Sequence, residues 1–175
     1  MFGEKGLVQI YTGSGKGKTT AALGLALRAC GQGAKVVIIQ FMKGWDHYGE
    51  LTSAKLIPNL TLIQTGRPDY VYKGKETQRD YEEAERGLRL AREYAASGEC
   101  DMLVLDEINV ALDYRLVKPE DVVSFVKSKP ENLELVLTGR GAAPELTELA
   151  DLVTETREIK HPYQKGVTSR RGVEY

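Results

Sequence analysis

A chain of 175 residues suits one domain, since folding at this length buries about 70% of the unfolded surface, enough for a sheet covered on both faces. Its 24 lysines and arginines balance 25 acidic residues at a net charge of −1, so no positive field recruits nucleic acid or an anionic membrane, and small-molecule chemistry is favoured. No apolar run approaches the roughly 20 residues of a membrane span and Met1 to Gly6 lacks a leader's apolar core, so the chain is expected in the cytoplasm.

The first apolar run, Leu7 to Tyr11, predicts a strand that feeds the glycine-rich stretch Y-T-G-S-G-K-G-K-T-T and an Ala- and Leu-rich helix, Lys18 to Cys30, stopped at Gly31. Strands follow at Val36 to Phe41 and Leu60 to Ile63. The loop Thr65 to Lys75, rich in Gly, Pro and Tyr, is expected to face a ligand crevice. Glu76 to Ala96 predicts a helix with Tyr81, Ala84, Leu88, Ala91 and Ala95 on one stripe. A strand at Met102 to Leu105 ends in Asp106 and Glu107. Pro119 and Pro144 suit first helical positions, each followed by an acidic residue, and strands at Leu133 to Leu137 and Leu152 to Thr154 complete the series. Short continuous apolar runs read as strands buried on both faces. The repeated β-α order predicts one α/β domain over 1–175, a RecA-like P-loop fold with a doubly wound, mostly parallel sheet. Cys30 and Cys100 lack metal-ligand spacing and are expected as reduced thiols in or near the core.

Strand, glycine-rich turn and helix in that order let backbone N–H groups converge on phosphate oxygens at a positive helix end. The usual pattern G-x-x-x-x-G-K-[ST] would end at Gly17, Lys18 and Thr19, yet its first glycine should stand at position 12, which is Thr12; glycines instead occupy 13, 15 and 17. Lys18 is placed to reach phosphate, and the Thr19 or Thr20 hydroxyl to hold a metal ion. Asp106 and Glu107 end a strand where a phosphate-bound Mg²⁺ needs a carboxylate, although acidic residues also cap ordinary strands. Alternating side-chain direction keeps the two from pointing the same way unless the strand has already ended. Arg140, in L-T-G-R-G, is a phosphate contact or a solvated side chain. His161 reads as structural or surface. The segment Arg157 to Tyr175 concentrates Lys160, Lys165, Arg170 and Arg171; it is either a frayed end or a tail folded on the nucleotide site.

As a set these residues resemble the ATP:corrinoid adenosyltransferases. The matching stretches are YTGSGKGKTTAALGLALRACGQG, QFMKG with GE at 49–50, ETQ at 76–78, LVLDEI, LTGRG and KHPYQKGVTSRRGVEY. The resemblance implies transfer of the 5′-deoxyadenosyl group of ATP to a cob(I) corrinoid with release of inorganic triphosphate, in the biosynthesis or salvage of adenosylcobalamin, and a loop that holds triphosphate as a leaving group. It implies ATP contacts from Thr12, Gly13, Ser14, Gly15, Lys16, Gly17, Lys18, Thr19, Thr20 and Arg140. Catalysis falls to Lys18, Thr19 and Glu107, and Mg²⁺ binding to Thr19, Asp106 and Glu107, with Glu107 favoured as the direct or water-mediated contact and Asp106 orienting Thr19 or a water. It further implies a homodimer and a transient flavoprotein or flavodoxin-type reductant. Better-known members resemble GFTWET where this chain reads GRPDYVYKGKET, so Tyr70 and Tyr72 are the natural replacements for the aromatic side chains that displace cobalt's lower ligand, with Trp45 a third candidate. The chain begins close to its first strand and is expected to lack the N-terminal extension that some relatives fold over the site. A P-loop kinase or NTPase would share the fold, Lys18, Thr19 and Asp106 but release ADP; a RecA-like nucleic-acid module fits the near-neutral charge poorly.

Overall fold

The computed structural model of the chain describes residues 5–175, so Met1 to Glu4, most of the stretch read as lacking a leader, lie outside it. Six strands form one wholly parallel sheet in the order β3-β2-β4-β5-β1-β6. They are β1 (Val8–Thr12), β2 (Val36–Phe41), β3 (Leu60–Thr65), β4 (Met102–Asp106), β5 (Glu134–Thr138) and β6 (Leu152–Glu155). The helices are α1 (Lys18–Gly31), α2 (Gly49–Ala54), α3 (Gln78–Ser97), α4 (Ile108–Asp113), α5 (Pro119–Ser128) and α6 (Pro144–Leu149). Among the described residues no helix is long and apolar enough to cross a membrane.

Alternation along the central strands supplies two cores. Val36 and Ile38 of β2 with Met102 and Val104 of β4 face α1, whose Ala22, Ala26 and Ala29 bring the helix close to the sheet. Val37, Ile39, Leu103 and Leu105 point the other way, against Ala84, Leu88 and Ala91 of α3, Ile108 of α4 and Phe125 of α5. Tyr81, expected on the buried stripe of α3, is 37% exposed. Pro119 and Pro144 open α5 and α6 as expected, and both cysteines are free and buried, with burial pushing the Cys100 thiol up to about 11.

Burial on both faces holds for β2, β4 and β5 but not throughout. All of β6 is exposed and β3 is half-buried, because they are the two edge strands of the sheet. Strand β5 separates β1 from β4, so the phosphate-loop strand and the carboxylate strand are not neighbours. Their C-terminal ends nevertheless open on the same side, where every parallel strand delivers its following loop.

Candidate active site

The glycine displacement has a local cause. Thr12 is still strand, paired with Glu155, and its Oγ1 accepts a hydrogen bond from the Ala142 N–H at 3.1 Å. Gly13 has φ 97°, and a Cβ there would collide with the Thr156 carbonyl; at Gly15 a Cβ would lie 2.9 Å from the Arg157 carbonyl. The chain leaving β6 is therefore laid directly on the loop, and glycine is required where the two backbones touch. Thr156 fixes the contact: its carbonyl accepts from Gly15 N–H at 2.8 Å, and its hydroxyl donates to the carbonyls of Thr12 and Gly15, each at 2.9 Å.

Lys18, the first residue of α1, is 7% exposed, and its ammonium donates to the Gly13 and Gly15 carbonyls at 2.9 and 2.6 Å. Burial lowers its pKa, against the pull of Glu107. One residue on, the Thr19 hydroxyl donates to Asp106 Oδ1 at 2.8 Å, joining α1 to the end of β4.

The two carboxylates that look alike in sequence have opposite surroundings. Asp106 is 1% exposed and accepts four hydrogen bonds: from Thr19 and Thr138 on Oδ1, and from Gln40 and Lys43 on Oδ2. The strand ends there, and Glu107 takes the left-handed conformation, φ 65°, that starts α4. Its N–H donates to Thr138 Oγ1 at 2.9 Å, while its side chain lines the cavity and accepts no hydrogen bond among the described residues. Burial first, then the Asp106 charge, push the Glu107 pKa up, against Lys43, Lys18 and Arg140.

These groups line one open cavity of about 1200 Å³. Gly15, Lys16, Gly17, Lys18, Thr19, Thr20, Glu107 and Arg140 border it together, while Thr12, Gly13 and Ser14 lie outside its lining and Asp106 stands behind it. Among the aromatic candidates only Tyr70 lines it. Tyr72 packs against Tyr70 with ring centroids 4.9 Å apart, so the two share a face; the intervening Val71 is buried and anchors the loop. Trp45 stands back and packs on Tyr175 at 5.0 Å. The tail lies across the opening: Gly172 to Tyr175 line the cavity, and Lys16 pairs at 2.7 Å with Glu174, whose carboxyl the Arg170 and Lys16 hydrogen bonds hold down at about 2. His161 also borders the cavity, its Nδ1 accepting from the Tyr163 N–H at 3.2 Å.

Sequence reasoning missed Lys43, Tyr48 and Tyr114, all in the lining. Lys43 stands inside QFMKG, right after a strand of a parallel sheet, and that position was its signal. Tyr114 carried none, since only the packing of α4 brings it to Lys73, whose ammonium sits 5.7 Å above its ring.

The oxygen donors Thr19 and Glu107 suit a hard divalent ion. No group of three or more His, Cys, Asp or Glu among the described residues is gathered to hold one.

Comparison with known proteins decides the family. Residues 4–175 match the model described as "ATP:corrinoid adenosyltransferase BtuR/CobO/CobP". The chain belongs to the ATP:corrinoid adenosyltransferase family. A corrinoid adenosyltransferase of Sinorhizobium sp is 38% identical over 98% of this chain and 81% of its own length. Those of Pseudomonas aeruginosa and Salmonella typhimurium are each 33% identical over 98% of this chain, covering 85% and 87% of their lengths. Membership makes this chain a transferase with ATP and a corrinoid as its substrates.

Proposed function

We propose that the enzyme transfers the 5′-deoxyadenosyl group of ATP to a cob(I) corrinoid and releases inorganic triphosphate. The observation that carries this reading is the cavity itself. Its volume exceeds the roughly 300–1,000 Å³ usual for one small ligand, and its lining combines a cationic glycine loop with Tyr48, Tyr70 and Tyr114. In the step, the cobalt electron pair attacks C5′ of the ribose, a cobalt–carbon bond forms, and the C5′–O bond breaks with its electrons leaving on triphosphate. Cobalt is thereby formally oxidised from (I) to (III). No protein base is needed.

The chain's contribution is position and charge. Lys18 and the loop N–H groups neutralise the departing triphosphate, with Lys16 and Arg140 at its margin. Thr19 and Glu107 are the groups that would hold Mg²⁺, which when bound supplies further neutralisation of triphosphate charge. Asp106 orients Thr19. Tyr70, backed by Tyr72 and joined by Tyr114, forms the surface for the corrinoid. Two buried, unpaired thiols support a cytoplasmic setting, and by resemblance the enzyme works as a homodimer served by a flavoprotein or flavodoxin-type reductant.

Phosphorus NMR on a reaction of ATP, Mg²⁺ and chemically reduced cobalamin tests the reading. Inorganic triphosphate should appear in step with the light-sensitive alkylcobalamin spectrum, and an ATP analogue with a non-cleavable β,γ bridge should still react. Stoichiometric ADP would instead establish phosphoryl transfer.

A further inference from the structure

Lys43 is held more firmly than a surface lysine needs to be. Met42, just past β2, takes the left-handed conformation at φ 59°, and its N–H donates to the Thr65 carbonyl at 3.0 Å. Gly44 and Gly66 lock the two strand ends together. A Cβ on Gly44 would lie 2.6 Å from the Arg67 carbonyl carbon, and one on Gly66 would lie 2.5 Å from the Lys43 nitrogen. Neither turn can shift alone, so the Lys43 side chain starts from a fixed point.

From there the ammonium lies 5.4 Å from the centre of the Tyr48 ring and donates to Asp106 Oδ2 at 2.8 Å, with the side chain 16% exposed. It meets the oxygen opposite the one that receives Thr19 and Thr138. An aspartate bonded on both oxygens cannot rotate, and its charge is already matched. Glu107, one residue on, lines the cavity with a carboxylate that accepts no hydrogen bond among the described residues.

We propose that Lys43 is a positioning residue for the transfer. It clamps Asp106 so that the carboxylate aims the Thr19 hydroxyl, and it leaves Glu107 as the carboxylate open to a magnesium–triphosphate unit. The proposal rests on the reading of the loop end of the cavity given above. Lys43 acts through Asp106, and contact with the corrinoid is no part of its role.

The test uses Mn²⁺ and inorganic triphosphate without corrinoid, followed by the Mn²⁺ electron paramagnetic resonance signal, beside the Mg²⁺ dependence of adenosylation. Lys43→Met should weaken Mn²⁺ retention on the order of tenfold, the scale of losing an outer-shell partner, and raise the Mg²⁺ needed for half-maximal rate alike. The KM for the corrinoid should not move. Lys43→Arg should recover most of the loss, and Lys43→Met combined with Asp106→Asn should be no worse than either change alone, because the two groups act as one unit. Should Lys43→Met not fold, the double variant, which buries no lone charge, is compared with Asp106→Asn. Additive losses, unchanged Mn²⁺ retention in Lys43→Met, or an effect confined to the corrinoid KM would each overturn the proposal while leaving the magnesium site intact. A wild-type enzyme that transfers adenosyl yet retains no Mn²⁺ with triphosphate would remove the magnesium site and this role with it.

Discussion

Two parts of the cavity lining, the glycine loop and the tyrosine loop, are built by opposite means. At the loop end, backbone lies on backbone at Gly13 and Gly15, Lys18 and Asp106 are buried, and Asp106 is bonded on both oxygens. At the aromatic end, Tyr70 and Tyr72 are 71% and 62% exposed, and the loop that carries them is pinned by buried Val71 and by the 2.7 Å pair of Arg67 with Asp80. Rigidity is concentrated where charge must be met in a fixed geometry, since preorganised donors cost no rearrangement when charge develops. The end proposed to receive a large flat ring offers stiff aromatic faces carried on a loop.

If that contrast is right, the largest loss comes from the loop end. Lys18→Ala should slow turnover on the order of a hundredfold, measured as the initial rate of alkylcobalamin formation, with the melting temperature near that of the parent. Near-normal activity would show that the buried ammonium does not serve the leaving group.

The neighbouring carboxylates sharpen the contrast within the rigid end. Glu107→Gln should raise the Mg²⁺ requirement about thirtyfold and Asp106→Asn less, about tenfold, within the range for metal-site partners. Asp106→Asn should instead lose about 3–5 kcal/mol of stability, because it leaves the Lys43 ammonium unpaired in a mostly buried site. Denaturant titration reads the second effect and a Mg²⁺ series the first. Equal, unchanged Mg²⁺ dependence would end the assignment.

The aromatic end should respond selectively. Replacing Tyr70 and Tyr72 together with Ala should leave reaction from chemically prepared cob(I)alamin largely intact, while the rate from cob(II)alamin with a biological reductant falls on the order of tenfold, the scale of about 1.4 kcal/mol in a barrier. The spectrum of four-coordinate cob(II) should vanish with it. Equal impairment from both oxidation states would make the tyrosines loop packing and move the role to Tyr114 or Trp45.

The smallest effect is thermodynamic. Glu107 has a pKa above its ordinary value of 4.5, through burial and the Asp106 charge, so the native state is favoured below that value and the advantage is lost as pH rises through the native pKa. Ionised Glu107 therefore costs stability at neutral pH. Glu107→Gln should melt a few degrees higher at pH 7.5, with about 2–4 °C expected per kcal/mol at this chain length, and the gap should close toward pH 4.5. A lower melting temperature at pH 7.5 would contradict the cause assigned to the shift.

The sheet was legible because each strand is a short apolar run within a residue or two of its observed bounds, and local composition alone carries that signal. The loop, Lys18 and the Asp106–Glu107 pair were legible for the same reason. Lys43 was not, since its partner is 63 residues away and meets it only because β2 lies beside β4. Nor was the exposure of β6, because position at a sheet edge is a property of strand order. The fold of the tail was one of two readings left open, and its partner Lys16, 158 residues distant, has no local signature.

Trp45, packed on Tyr175 and edge-on to Tyr48 and His47, is the chain's sole tryptophan. Its emission therefore comes from one place, the joint between the terminal segment and the turn after β2. Any ligand that displaces Glu174 from Lys16 must also disturb the neighbouring ring of Tyr175, and the indole would register it as a change in intensity or wavelength. The molecule thus carries an optical gauge of its own doorway, readable without dye or label.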